Sequence, residues 1–147
     1  MAITQAMTNS FKVDILSGGM NFNTTNRALT ANTQDTFKIA LYYPAASASL
    51  DATTTAYTAT AEVSSSGTGY STGGNTLTIS QVPVSSGTPS TTAYINFSNT
   101  SWGSTASFSA DGALIYNSSN SNKSVCVDRK STRLNPVTSL SRMPSSA

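Results

Sequence analysis

The sequence predicts an all-β domain, an antiparallel β-sandwich of jelly-roll-like form with one short N-terminal helix. Three observations predict it. Short runs with apolar residues at alternate positions recur at roughly ten-residue spacing between clusters of Gly, Ser, Asn and Pro, the pattern of a meandering antiparallel sheet rather than of βαβ units. Ser and Thr supply 49 of the 147 residues and only 10 % are charged, so hydroxyls and amides must cover the surface that charged side chains usually cover. Six Tyr, five Phe and one Trp at ordered spacing separate the chain from equally Ser-rich disordered sequences. A length of 147 residues with 37 % hydrophobic side chains suits one domain with a single modest core.

The elements follow in order. Ala6, Met7, Phe11, Ile15 and Leu16 recur at helical spacing, with Thr8 or Asn9 as caps and Gly18-Gly19 as a stop, which predicts a helix over about residues 5–17. Its apolar face (Met7, Phe11, Ile15 and Leu16) packs on its own sheet or docks on a neighbour. Residues 21–35 read as a loop. Residues 36–43 (TFKIALYY) alternate Phe37, Ile39 and Leu41 against Lys38 and Ala40, a strand that Pro44 ends. Residues 55–63 make a weak strand. The following SSSGTGYSTGGN is a loop with Tyr70 as its only large side chain, expected at the surface. Residues 76–84 alternate Leu77 and Ile79 with Thr78 and Ser80, and Pro83 puts the end of this run on an edge. Strands at 93–97, 105–109, 112–117 and 123–127 complete the set.

Charge divides the chain at Val127. Up to that residue four basic side chains oppose five acidic ones, whereas the last twenty residues, DRKSTRLNPVTSLSRMPSSA, hold four basic and one acidic. The basic character of the whole therefore belongs to the tail. Residues 1–127 read as the sandwich domain and 128–147 as a non-native or disordered basic tail. Pro136 interrupts any helix there, and no aromatic is interleaved with Arg129, Lys130, Arg133 and Arg142, so no specific nucleic-acid partner is expected.

Several chemistries lose their central residue. The chain has no histidine and one cysteine, Cys126, which removes the usual general base near neutral pH, the usual zinc ligand and any internal disulfide. GTGYSTGGN lacks the Lys-Ser/Thr ending of a phosphate-binding loop. The acids show no paired spacing for glycoside hydrolysis. Asp111, followed by Gly112, reads as a turn residue, and Glu62, the one acid in a strand-like run, as outward-facing or bonded to a loop. The expectation is a non-enzymatic protein with no cofactor and no metal. The N-terminus carries no basic start followed by an apolar run, and no apolar stretch is long enough to span a bilayer, so no membrane association is expected. Tyr70 and Trp102, set among Asn, Ser and Gly, are the candidate platform for stacking on a host-surface glycan. Trp102 and Tyr94 also suit a place inside the sandwich.

Four segments carry a resemblance, together with their order along residues 1–127: MAITQAMTNSFKVDIL, TFKIALYY, TTAYTATAEVSSSGTGYSTGGNTLT and FSNTSWGSTASFSADGALIYNSSNSNKSV. Together they resemble small structural proteins of tailed bacteriophages and their environmental relatives. The resemblance implies a virion location, head- or tail-associated, with other virion proteins and further copies of itself as partners, and it supplies no catalytic motif. Relatives of this kind continue past KSVCV with further strands. The final twenty residues instead resemble translated read-through of a sequencing adapter, which implies a C-terminally truncated domain.

Overall fold

The computed structural model describes residues 3–23, 33–43, 50–87 and 90–129. The basic tail beyond Arg129 and residues 24–32 of the expected 21–35 loop lie outside the described residues. The described chain is all-β with antiparallel sheets and one short helix. Its elements are β1 (Ala6–Met7), α1 (Asn9–Ser17), β2 (Phe37–Tyr42), β3 (Asn75–Leu77), β4 (Ile79–Gly87), β5 (Ser90–Phe97), β6 (Gly112–Asn117) and β7 (Lys123–Arg129). Five strands form one sheet in the order β1-β7-β6-β2-β3, and β4 and β5 form a separate two-stranded sheet. No helix among the described residues is long and apolar enough to cross a membrane.

Side chains alternate between the faces of a strand, and the five-stranded sheet is covered on both faces. Ala40 and Tyr42 of β2, Leu114 and Tyr116 of β6 and Val127 of β7 form one core with Ile3 and Leu50, and Tyr57 packs against it. Phe37, Leu77 and Val125 join Phe11 and Phe22 in a second core, to which Ile39, Ile115, Ile79, Ile95 and Phe97 add partly buried surface. In it Phe22 stacks on Phe37 with centroids 4.5 Å apart, and Phe11 meets Phe22 edge-on at 5.9 Å. The hairpin β4–β5 is thus held at its base by Ile79, Ile95 and Phe97.

The helix starts later than expected. Ala6 and Met7 pair with Val127 and Cys126 as the edge strand β1, so α1 begins only after Thr8. That residue caps it: the Thr8 Oγ1 accepts from the Phe11 N–H and donates to the Ser124 and Val125 carbonyls, tying the helix start to β7. Gly18, in the left-handed region at φ 74°, closes the other end as its N–H and that of Gly19 return to the Ile15 and Asp14 carbonyls.

Other strand expectations shift for local reasons. The single run expected over 76–84 divides at Thr78 into β3, on the large sheet, and β4, in the hairpin. Residues 55–63 form no strand; their ladder pairing with the sheet is limited to the isolated bridges Ala56 to Lys123 and Tyr42 to Glu62. Ala61 stands at φ 61°, which breaks the extended run. Residues 105–109 also form no strand. Phe108 there sits edge-on to Tyr70 and Trp102 instead. The strand expected to stop at Val127 runs two residues further, Asp128 pairing with Ala113 and Arg129 with Gly112.

Candidate functional site

An apolar groove lies between α1 and the β4–β5 hairpin, with a volume of about 520 Å³. Met7, Phe11 and Ile15 form one wall with Met20 and Phe22 beneath them; Pro83, Ala93, Tyr94 and Ile95 form the other. None of these side chains is charged. The groove exists because the helix and the hairpin both rest on the second core and leave a gap above Phe11 and Phe22. Its rim is exposed: Met7 keeps 51 % of its surface, Ile15 50 % and Tyr94 40 %. Beside it, Val13 and Leu16 project from the helix, Leu16 with 88 % of its surface in solvent. Isolated exposed apolar side chains are ordinary, but a contiguous set around a groove marks a contact surface.

The four helix residues expected to make assembly contacts divide. Met7 and Ile15 line the groove and Leu16 stands outside it, whereas Phe11 is buried in its own core. Asp14, on the inner side of the helix, is buried and accepts a 2.6 Å hydrogen bond from the Lys123 ammonium. Its Oδ2 has no hydrogen-bond partner among the described residues. The sequence reading missed Met20, Phe22, Pro83 and Ile95 as groove residues, because they come from three separate segments that only the tertiary fold brings together.

A second constellation is polar and closed. Glu62 is buried and accepts three short hydrogen bonds: from the Tyr57 hydroxyl at 2.6 Å, the Tyr70 hydroxyl at 2.7 Å and the Gly73 N–H at 2.7 Å. Tyr70 in turn accepts from the Leu41 N–H, and the Tyr116 hydroxyl donates to the Gly73 carbonyl. Burial, with the Glu62 carboxylate nearby, holds the Tyr70 phenol well above its ordinary pKa. Burial does the same for Tyr57, where the hydrogen bond to Glu62 adds to it, and for Tyr42. The carboxylate therefore ties Tyr57, Tyr70 and Gly73 together, and through Tyr70, which accepts from the Leu41 N–H, holds the 57–74 segment on β2 while the phenols stay protonated. Gly74 completes the approach: it stands at φ 69°, and a Cβ there would overlap the Ile39 carbonyl.

This network corrects the expected exposure of Tyr70, which retains only 3 % of its surface. Its hydroxyl reaches inward to Glu62, and its ring lies against Trp102 at 6.2 Å and Phe108 at 5.5 Å. Tyr70 and Trp102 do come together, as a partly buried aromatic cluster under a loop. The Trp102 indole N–H is buried and has no hydrogen-bond partner among the described residues. Glu62 fits the loop-bonded alternative rather than the outward-facing one. Asp111 sits at the turn before β6, 4.0 Å from Arg129. Cys126 is half-buried; burial, then the charge of Asp128, raises its thiol pKa and lowers its reactivity. Among the described residues no group of three or more acidic or cysteine side chains is arranged to hold a metal ion.

Comparison with known proteins returns no match: no family model, no curated protein and no solved structure is similar to this chain.

Proposed function

We propose that the protein is a non-enzymatic structural component of a tailed-phage virion, acting through assembly contacts made at the groove between α1 and the β4–β5 hairpin. The observation that carries this reading is the uncharged groove with its exposed rim of Met7, Ile15 and Tyr94 beside the projecting Leu16. Such a surface gains from being covered: apolar area removed from water contributes about 25 cal/mol per Å². The sequence resemblance supplies the setting, and the sparse charge suits close repetitive contacts because little like-charge repulsion opposes them. The glycan reading is the weaker one, since Tyr70 spends both its ring and its hydroxyl inside the fold.

The test is mass spectrometry of purified phage particles from the culture that encodes the chain. Peptides of residues 1–127 at a stoichiometry comparable with the major structural proteins support the proposal. Their presence only in the soluble lysate overturns it.

A further inference from the structure

The two-stranded sheet differs from the five-stranded one in how its edges are treated. An open edge offers unpaired N–H and C=O groups to any other strand, and folds blunt such edges with short strands, proline, bulges or charge. The large sheet follows that rule, since its edge strands β1 and β3 are two and three residues long. In the hairpin, β4 carries Pro83, which has no N–H to offer, and register shifts interrupt its pairing with β5. Of these devices β5 carries only a bulge next to the turn, one extra residue between Ser90 and Thr92 opposite the Ser86–Gly87 step. It is eight residues long, STTAYINF, with no proline and no charged residue, and among the described residues its only strand partner is β4.

We infer that β5 is a self-pairing edge, whose occupant is β5 of a second copy of this chain, laid antiparallel across a two-fold axis. The inference deepens the assembly reading above and rests on it. Three features select a second copy. A two-fold places each strand against its own sequence, where charged residues risk facing like charges; β5 has none to repel. Alternation settles the register. Ile95 and Phe97 point toward the core and Thr92, Tyr94 and Asn96 are exposed on the other face, so a two-fold through Tyr94 sets that ring beside its symmetry mate and Thr92 opposite Asn96. Cross-strand aromatic pairs of this kind are favourable. An isolated hairpin is itself marginal, and the pairing turns two hairpins into one four-stranded sheet.

Area sets a condition. An eight-residue strand is about 27 Å long, so its edge alone falls short of the roughly 800 Å² per partner that a stable interface buries. The contact therefore extends to the groove beside Ala93 and Ile95, where Met7 and Ile15 are already exposed.

Sedimentation equilibrium of the full chain and of Thr92→Lys/Asn96→Lys tests the inference. Both positions are exposed, so the circular dichroism spectrum of the variant should match the parent, while its melting temperature loses only the concentration-dependent part that dimerisation contributes. The parent is expected at twice the chain mass in the micromolar range. The lysines, brought opposite one another twice in the proposed register, should weaken the dimer about tenfold or more. A monomeric parent overturns the inference, as does a dimer that the lysines leave intact, or an open-ended series of larger species, since two-fold pairing closes. A monomeric parent that is nonetheless incorporated into particles removes self-pairing and leaves the virion reading standing. A β5-dependent dimer absent from particles does the reverse.

Discussion

Replacing Glu62 by Gln is the sharpest probe of the closed network, because it keeps shape and volume while removing the charge and turning one acceptor oxygen into an NH2 donor. In the native chain three donors reach the carboxylate at 2.6 to 2.7 Å. Hydrogen bonds to a charged acceptor contribute about 1.5–3 kcal/mol each and neutral ones about 0.5–1.5, so the substitution weakens each bond by about 1 kcal/mol. Two effects reduce the loss. The Tyr57 hydroxyl is only half-buried and can turn to accept from the new amide, and the native carboxylate carries a desolvation cost that the amide does not. The net expectation is a loss of about 2 kcal/mol, or a fall in melting temperature of roughly 5–10 °C for a domain of this size. Urea unfolding followed by tryptophan fluorescence is the assay, since Trp102 lies against Tyr70 and reports the same loop. A midpoint unchanged within about 0.5 kcal/mol would refute the claim that the carboxylate holds the 57–74 segment on β2.

The raised phenols predict alkaline instability. An unfolded tyrosine loses its proton near pH 10, whereas Tyr42, Tyr57 and Tyr70 release theirs only at higher pH. The unfolded chain therefore deprotonates first, and stability that is complete below about pH 10 declines as pH rises toward the native values, by at most about 1.4 kcal/mol per pH unit for each phenol and less at half-buried Tyr57. Melting temperatures should be flat from about pH 7 to 8, ease above about 8.5 as the thiol of Cys126, also raised by burial, deprotonates first in the unfolded chain, and fall more steeply above about 10, with a shallower fall there in Tyr70→Phe. Gly74→Ala adds a side chain at positive φ against the Ile39 carbonyl and should cost about 3 kcal/mol or more, read as a lower urea midpoint or loss of soluble protein. On the helix, Phe11→Ala should cost about 3 kcal/mol because the ring is buried against Phe22. Leu16→Asp should change stability by no more than about 0.5 kcal/mol, since that side chain is almost wholly in solvent.

What the sequence made legible was local. The alternation of GALIYN gave β6 its bounds, and that of TFKIALYY gave β2 to within a residue at each end, because each strand has apolar neighbours on both faces. Thr8 and Gly18 marked the helix ends through capping chemistry that depends on a few adjacent residues. Ala6 and Met7 fitted the helical spacing yet went to β1, since Val127 and Cys126, more than a hundred positions away, offered backbone partners. Thr78 gave no sign that one alternating run would serve two sheets. Tyr70 misled for the opposite reason: a Gly-rich loop reads as exposed, but positive-φ glycines at 69, 73 and 74 let the backbone fold over the ring and reach Glu62. The groove was half legible, through Met7 and Ile15. Its other wall depended on the hairpin folding back over Phe22, which no local pattern encodes.

Methionine oxidation footprinting, on the free chain diluted to monomer and on assembled particles, tests the central claim most directly. Met7 and Met20 line the groove, and Met7 exposes half its surface; thioether oxidation follows that exposure. If the groove is the assembly contact, Met7 and Met20 oxidise several-fold more slowly in particles than in the free chain. Equal oxidation of both residues in the two states would contradict the account, because a chain incorporated with its groove still open to solvent is held by some other surface.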